Sequence, residues 1–588
     1  MPLTLDPPRW TVNKIAVVGP GIVGMPMAAM LANARIREGS AEPARVVVVQ
    51  RNSPTSGWKV DAINQGRSPI GGVEPDLDRV VKESVAAGLL AAAHDYEALS
   101  DADLILISVQ TDKKGNEPDY GPLFEALTGI AQALGRKPAG NIPLIVFEST
   151  LAPSSMATVI KDHFAQHGLI EGRDILLGNS PNRVMPGRLV ERVADSDKII
   201  AGLHPETPGL IRRIYSRIVT RGKLHATNSM TAEVVKTLEN AYRDVRIAYA
   251  TEVVRYCDER NLDFYQLRDQ VNARTQQTDQ ASADGQAIPT GGLLVPMLGV
   301  GGHCLPKDGI LLWWRALEAA EDTRGSLILE ARRINDESPA VTLAQAEKTL
   351  GSLKGRRIAL LGAAYRGNSE DTRNSPALYL TRVLRERGIE FMLHDPYVYP
   401  DDQNLRRFGV TDQFTRELAL ALASAEVVVF CTPHKVYADG WAEIRGLGPS
   451  LRGVLDACNL FPRAADFGGL GHVGIGRGRT TPSAALVEAV YRGFKSVETG
   501  VANEVQGLVR FLNARYADTE FNRVRFSEVQ RIAATCPTGC RIVDTGRVGS
   551  LVSDEGFDSR LVAASRAWAW QNDDVGTATR QAAQPGGG

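Results

Sequence analysis

The chain has 588 residues, with 67 Lys and Arg against 68 Asp and Glu, giving a formal net charge of −1 at pH 7. That length predicts two or three domains plus an appendage, and the 43% hydrophobic, 23% charged composition is that of a soluble globular protein. The near-zero charge gives no ground for a nucleic-acid or membrane partner; six scattered cysteines, no long apolar run and no signal-peptide layout predict a reducing cytoplasm.

In chain order, the first strong signal is Lys14-Ile-Ala-Val-Val-Gly-Pro-Gly-Ile-Val-Gly24, a β-branched run leading through three glycines into an Ala- and Met-rich helical stretch. This is the strand, tight turn and helix of a dinucleotide-binding unit. Gly19 permits the turn, Gly21 lets backbone approach a pyrophosphate, and Gly24 lets helix and strand pack closely. The helix start offers N–H groups to the phosphates. Further strands are predicted over residues 45–50, 104–109 and 144–147, with helices between them, which is the rhythm of a parallel sheet. The second strand runs into Gln50-Arg51-Asn52, where an Asp or Glu is expected to hold the adenosine ribose. Gln50 can hydrogen-bond a ribose hydroxyl, whereas Arg51 suits a 2′-phosphate, which leaves NADP open beside NAD.

A helical middle spans residues 227–267. Glu233, Lys236, Asn240, Arg243 and Asp244 recur there at three- and four-residue spacing and share one face. Such a stripe is ordinarily a solvated helix surface, yet beside Leu238 and Ala241 it can equally line a cleft. A second α/β signature begins at Gly355, with strands predicted over 356–362, 389–394, 427–431 and 454–456 and an amphipathic helix over 375–384. From Val501 the pattern weakens to one helix over 505–516, and the Gln-, Ala- and Gly-rich residues 571–588 are predicted disordered.

The sharpest chemical motif is Gly299-Val-Gly-Gly-His-Cys-Leu-Pro-Lys-Asp308. Its glycines let backbone approach a ligand, and Cys304 needs a positive neighbour to become a nucleophile near neutral pH. Lys307, a helix start after Pro306, or Lys236 can serve, and Asp308 supplies a carboxylate for base work. The plain alternative is a buried structural cysteine. Adjacent His303 and Cys304 are poor partners for one ion, and no metal is expected. Cys536-Pro-Thr-Gly-Cys540 has a zinc-like spacing without a second pair and is read as a surface turn.

The chain resembles the UDP-glucose/GDP-mannose dehydrogenase family over about residues 13–480. The resemblance rests on GPGIVG (19–24), SVQT (108–111), EST (148–150), SPNRVMPG (180–187), KTLENAYRDVRIA (236–248), GVGGHCLPKD (299–308), LGAAYRGNSEDTRNSPA (361–377) and LDACN (455–459), in that order. It implies an NAD-dependent, four-electron oxidation of a nucleotide-sugar C6 alcohol through a thiohemiacetal and a thioester on Cys304. Lys236 and Asn240 would steady the oxyanion, and Asp308 with Thr150 would manage protons and water. The cofactor would be met by Gly19, Gly21, Ile22, Val23, Gly24, Gln50, Arg51, Thr111 and Arg373. The substrate would be met by Asn182, Arg183, Val184, Arg243, Gly301 and Arg366, with Arg274 in a segment that neighbouring subunits contribute in this family. A homodimer is implied, and His303 before the cysteine is similar to the UDP-N-acetylhexosamine branch.

Two departures stand out. Asn182 replaces the Glu that serves thioester hydrolysis in the family, and Cys458 replaces the Arg of the Asp-x-Arg-Asn motif. Residues 258–298 carry a polar insert at 275–285, and the tail beyond Val501 has no family counterpart. A two-domain hydroxyacid dehydrogenase needs neither Cys304 nor the block at 355–459. A non-catalytic nucleotide-sugar binding protein is kept in view by Asn182 alone. The expected fold is α/β: a Rossmann-like NAD domain (1–226), a helical dimerising connector (227–350), a Rossmann-like UDP-sugar domain (351–500) and an extension (501–588), both sheets doubly wound, with the active site in a cleft between domains.

Overall fold

The computed structural model describes residues 10–71, 74–137, 142–184, 187–275, 292–461, 467–536, 539–540, 542 and 557–566. The polar insert beyond Thr275 and the tail predicted to be disordered lie outside the described residues. The chain forms two compact units: Met1–Glu239 with Ile310–Glu321 and Gln506–Arg541, and Asn240–Gly309 with Asp322–Val505 and Ile542–Gly588. This division runs through three helices, Ser229–Glu259, Leu305–Glu318 and Ala484–Tyr516, and is coarser than the four segments read from the sequence.

In the first unit the chain lays down β1 (Lys14–Val18), β2 (Arg45–Val49), β3 (Leu90–Ala93) and β4 (Leu104–Ile107). A hairpin of β5 (Asp112–Lys114) and β6 (Glu117–Asp119) follows, then β7 (Leu144–Phe147), β8 (Leu176–Asn179), β9 (Lys198–Gly202) and β10 (Leu224–Asn228). Eight of these make one sheet, ordered β10-β9-β8-β7-β4-β1-β2-β3 and parallel except where β8 meets β9. The period-2 alternation of the strands feeds two cores. Ile15, Val17, Leu104 and Leu106 pack on one face with the helix α1 (Gly24–Asn33), and Ala16, Val18, Ile105 and Ile107 pack on the other. Helices on both faces are why these strands read as unbroken apolar runs. The strand order reverses between β1 and β4, the switch point at whose carboxyl ends open α/β sheets bind their ligands.

The second unit repeats the plan. Strands β11 (Arg357–Leu361), β12 (Glu390–His394), β13 (Phe414–Thr415), β14 (Val427–Phe430), β15 (Gly453–Asp456) and β16 (Gly471–Gly474) form an all-parallel sheet. Its order is β13-β12-β11-β14-β15-β16, reversing between β11 and β14.

The remaining helices that matter here are α2 (Trp58–Asn64), α3 (Ser229–Glu259), α4 (Phe264–Thr275), α5 (Leu305–Glu318), α6 (Leu327–Leu350), α7 (Ala484–Tyr516) and α8 (Phe526–Ala533). Helices α3 to α6 occupy the predicted connector. The polar stripe on α3 is not a solvated surface: Glu233 is 1% exposed, Lys236 9% and Asp244 4%. Buried charge demands partners: Glu233 accepts from Ser154 N and Met156 N (2.8 Å each), and Asp244 accepts from Arg332 Nη1 (2.8 Å). Among the described residues no helix is long and apolar enough to cross a membrane.

Candidate functional site

In the first unit, the turn after β1 is shaped by steric necessity. Gly19 has φ +91°, and a Cβ on it would lie 2.9 Å from the carbonyl oxygen of Ser108, at the end of β4. A Cβ on Gly24 would meet the Gly19 oxygen at 2.2 Å, whereas nothing lies within 4 Å of one on Gly21. Gly19 and Gly24 are therefore needed for close packing, and the open space over Gly21 fits an approaching pyrophosphate. Ile22 is 40% exposed beside that space, and Val23 occupies the cap position of α1. Gln50 follows β2 and donates its side-chain amide to Ser56 Oγ (2.9 Å), while Arg51 pairs with Glu125 at 2.6 Å.

Thr111 Oγ1 donates to the backbone oxygen of Thr150 (2.7 Å), which brings two of the expected residues together after β4 and β7. Asn182 is turned on its own loop: its amide nitrogen donates to Val184 O (3.1 Å) and its Oδ1 accepts from Val184 N (3.2 Å). Its backbone N–H donates to Glu148 O (3.2 Å). The Glu148 carboxylate is buried and spent on Lys198 (2.6 Å) and Tyr215 (2.5 Å). Arg183 is nearly enclosed. Its guanidinium pairs with Glu239 of α3 and donates to Ile532 O (3.1 Å) in α8 and to Thr535 Oγ1 (2.9 Å) just beyond it. It holds the loop that carries Asn182, a role the sequence did not suggest. Lys236, 9% exposed, lies one helical turn before Asn240 on α3.

In the second unit the cysteine loop is clamped to the segment after β11. A Cβ on Gly301 would lie 2.3 Å from Tyr365 Cβ, and one on Gly302, whose φ is +85°, 3.0 Å from Tyr365 Cζ. Gly302 N donates to Arg373 O (2.8 Å), and Asn374 Nδ2 returns a bond to Gly302 O (3.0 Å). The glycines thus serve a close approach of Tyr365. Cys304 sits at the start of α5, its carbonyl accepting from Lys307 N (3.1 Å) and Asp308 N (3.0 Å), and a helix N-terminus favours negative charge on a side chain there. Among the described residues Cys304 alone of the six cysteines is exposed. The Cys257 thiol, by contrast, is pushed up to about 12 by burial and then by Asp258, and burial pushes Cys431 and Cys458 up as well.

One turn along α5, the fully buried Asp308 carboxylate accepts from Asn240 Nδ2 (2.6 Å) through Oδ2 and holds Lys307 Nζ at 2.5 Å through Oδ1. Lys307, a candidate for activating the thiol, is therefore committed to Asp308. Arg243 is half-buried on α3, and Arg274 pairs with Glu488 of α7. Arg373 chelates Asp371 (2.9 and 2.6 Å) and, with Arg366 and Cys304, lies within electrostatic reach of Tyr365. Tyr365 is the site-lining residue the sequence reading passed over. Its only signal was an aromatic next to Arg366, and burial, then Asp371, pushes its phenol upward.

Beyond β11 and β14, Gly362 (φ +106°) leaves room for Thr432, where a Cβ would meet Thr432 Cβ at 2.4 Å. Buried Asp395, just after β12, accepts from Ala363 N (2.7 Å), Ala364 N (3.0 Å) and His434 Nε2 (3.0 Å). This repeats the first crevice in a second doubly wound sheet. Cys458 is buried against Asp456, while Arg477 reaches Asn459 and Phe461 O from β16 onward. Cys536 and Cys540 are buried rather than on a surface turn, and the described residues hold no cluster of three metal-ligating side chains.

Residues 13–219 match the NAD binding domain of the UDP-glucose/GDP-mannose dehydrogenase family, 230–337 its central domain and 359–463 its UDP binding domain. The chain is 31% identical over 474 residues to the UDP-N-acetyl-D-mannosamine dehydrogenase of Pyrococcus horikoshii, covering 79% of this chain and 99% of that one. It is 32% identical over 435 residues to the NDP-N-acetyl-D-galactosaminuronic acid dehydrogenase of Ralstonia nicotianae, covering 72% and 92%. Among solved structures, the NDP-N-acetyl-D-galactosaminuronic acid dehydrogenase of Methanosarcina mazei superposes with a TM-score of 0.65 at 29% identity, over 79% of this chain and 96% of that one. The P. horikoshii enzyme gives 0.64 at 30%, over 79% and 100%. With three family domains in order and a Rossmann cradle formed by Gly19, Gly21 and Gly24, the chain belongs to the UDP-glucose/GDP-mannose dehydrogenase family and is an NAD-dependent oxidoreductase.

Proposed function

We propose that the chain oxidises the C6 alcohol of a UDP-N-acetylhexosamine to the uronic acid, with UDP-glucose as the competing substrate. The observation that carries this reading is an exposed Cys304 at a helix start, one turn before an Asp308 carboxylate that Asn240 and Lys307 hold in place. His303 and the substrates named for the two relatives favour the amino sugar over glucose. A homodimer in the cytoplasm, feeding polysaccharide synthesis, is the setting the family resemblance suggests.

A nicotinamide bound over the Gly19 to Gly24 turn would supply the hydride acceptor for each oxidation, a fresh oxidised molecule replacing the reduced one between the two. Asp308 takes the C6 hydroxyl proton as the alcohol becomes an aldehyde. The Cys304 thiolate then adds to the aldehyde carbon, and Asn240 and Lys236 donate to the oxygen that becomes negative. The resulting thiohemiacetal loses a second hydride and becomes a thioester. Once Asp308 has passed that proton to solvent, it deprotonates a water steadied by Thr150, which attacks the thioester; the C–S bond breaks, the acid leaves and the thiolate takes the proton back from Asp308. Arg366 meets the substrate phosphates. The covalent bond keeps the aldehyde from escaping between the two oxidations.

Asn182 supports a second reading, in which hydrolysis is slow and the acyl-enzyme accumulates, because an amide cannot take a proton from water near neutral pH. Counting NADH per sugar consumed and weighing the product decides between the readings. Two NADH per sugar with an acid product is the expected result. A burst of two NADH per enzyme with a retained acyl group on Cys304 supports the slow branch, and no NADH with any UDP-sugar rejects both.

A further inference from the structure

The end of β2 departs from what an NAD-only cradle requires. In a dinucleotide-binding unit, a carboxylate after the second strand hydrogen-bonds the 2′-hydroxyl of the adenosine ribose and repels a phosphate placed there. Here that position is Gln50, fixed to the sheet by its backbone bond to Ala93 O (3.1 Å). A neutral amide does not repel a phosphate. The next residue, Arg51, presents a guanidinium whose side chain is 67% exposed, paired at 2.6 Å with an equally exposed Glu125.

Beside it the loop between β2 and α2 gathers hydroxyls. Ser53 Oγ lies 2.6 Å from Ser56 Oγ and 3.5 Å from Thr55 Oγ1, and Gln50 Nε2 donates to Ser56 Oγ at 2.9 Å. Ser53 Oγ also accepts from Ser56 N at 3.2 Å and so helps to close the turn. Its backbone is closed by Ser56 N and Gly57 N donating to Ser53 O (3.3 and 2.9 Å). The cation, the neutral amide and the Ser56 hydroxyl are not needed for chain reversal, and with Ser53 they form a patch that can donate to a dianion and, once Arg51 turns from Glu125, neutralise it. The Arg51–Glu125 pair does not close the patch. A solvated surface pair is weak, whereas a guanidinium meets a phosphate through two parallel, charge-assisted bonds.

We infer that the ribose end of this cradle takes the 2′-phosphate of NADP(H), against Arg51 and the Ser53 and Ser56 hydroxyls, so that the chain binds NADP(H) as well as NAD(H). The inference rests on the dinucleotide cradle and is independent of the thioester chemistry, because binding is read without sugar.

Titration of the full chain with NADPH and with NADH, each followed calorimetrically, tests it. NADPH is expected to bind within about tenfold of NADH. Arg51→Leu should shift the NADPH-to-NADH preference by about tenfold or more towards NADH, and Gln50→Asp should do the same by restoring a repelling carboxylate. Glu125→Gln should tighten NADPH by freeing Arg51. NADH binding without NADPH binding, or an Arg51→Leu loss equal for both nucleotides, overturns the inference while leaving the cradle intact. Failure of both nucleotides to bind overturns the cradle and the inference together.

Discussion

Asn240 donates its side-chain amide to Asp308 across 2.6 Å while Lys307 grips the other oxygen of the same carboxylate at 2.5 Å. Both carboxylate oxygens are thereby oriented, and the charge is balanced although Asp308 is fully buried. Asp308→Asn should lower turnover by about a hundredfold or more, the usual worth of a positioned base. It should also cost about 3–5 kcal/mol of stability, because the Lys307 ammonium is left buried without a counter-charge. Adding Lys307→Met should recover much of the stability, read by urea unfolding, and none of the turnover. Recovery of turnover would mean that Asp308 is structural.

Cys304→Ser separates the cap from the chemistry. Serine is a favoured residue at a helix start, so the melting temperature should hold, whereas acid formation should fall by more than about a thousandfold for want of the thiolate. Acid formed at a near-normal rate by this variant would end the covalent mechanism.

The Rossmann cradle and the cysteine loop were legible in the sequence because each depends on local rules: β-branched runs, and glycines at fixed offsets. β7 matches its predicted span, and β2 and β4 end one and two residues early. The Ala-rich β3 and the polar β10 carried no strand signal of their own and exist through their neighbours in the sheet. Helix α7 was read only from residue 505, because Gly493 and Gly500 interrupt its pattern. Those glycines are there for packing: a Cβ on Gly493 would lie 2.4 Å from Tyr249 Oη, and one on Gly500 2.5 Å from Ser565 Cβ. The partners that set the site, such as Lys307 with Asp308, or Arg183 with Thr535, 352 residues later, are products of tertiary packing that no local pattern encodes.

Arg183 ties the tail to the loop of Asn182 through a pair with Glu239 that is almost wholly buried, 1% and 2% exposed at the side chains. Glu239→Gln should therefore destabilise the chain by about 3–5 kcal/mol. Thr535→Val, which removes one bond at 2.9 Å, should cost about 1 kcal/mol. Urea unfolding of the two variants checks the order; equal losses would mean that Arg183 is held mainly by the tail.

Asn182→Glu addresses hydrolysis. The wild-type amide satisfies both Val184 N and Val184 O, and a carboxylate can satisfy only the first, so the loop should loosen slightly. If deacylation limits turnover, rapid mixing should show a burst of NADH in the wild type and a faster steady state in the variant. An unchanged steady-state rate, with no burst in either protein, would place the slow step elsewhere.

Glu233 gives a pH dependence whose sign is fixed. Burial pushes its carboxyl up to about 8 against the partial opposition of the Met156 and Ser154 N–H groups, each at 2.8 Å, and of Arg315. The folded chain therefore keeps a proton that the unfolded chain has released, between the ordinary glutamate pKa near 4.5 and about 8. Stability from this group is fully present below the lower value and is lost as pH rises towards the upper one. Glu233→Gln removes the titration while retaining one acceptor for the two N–H groups. The variant should start less stable at low pH and show a shallower decline between pH 5 and pH 8, because Asp244 (about 6) and Asp258 (about 7), raised chiefly by burial, titrate alike in both proteins. Parallel curves for the two proteins would show that Glu233 remains charged in the fold.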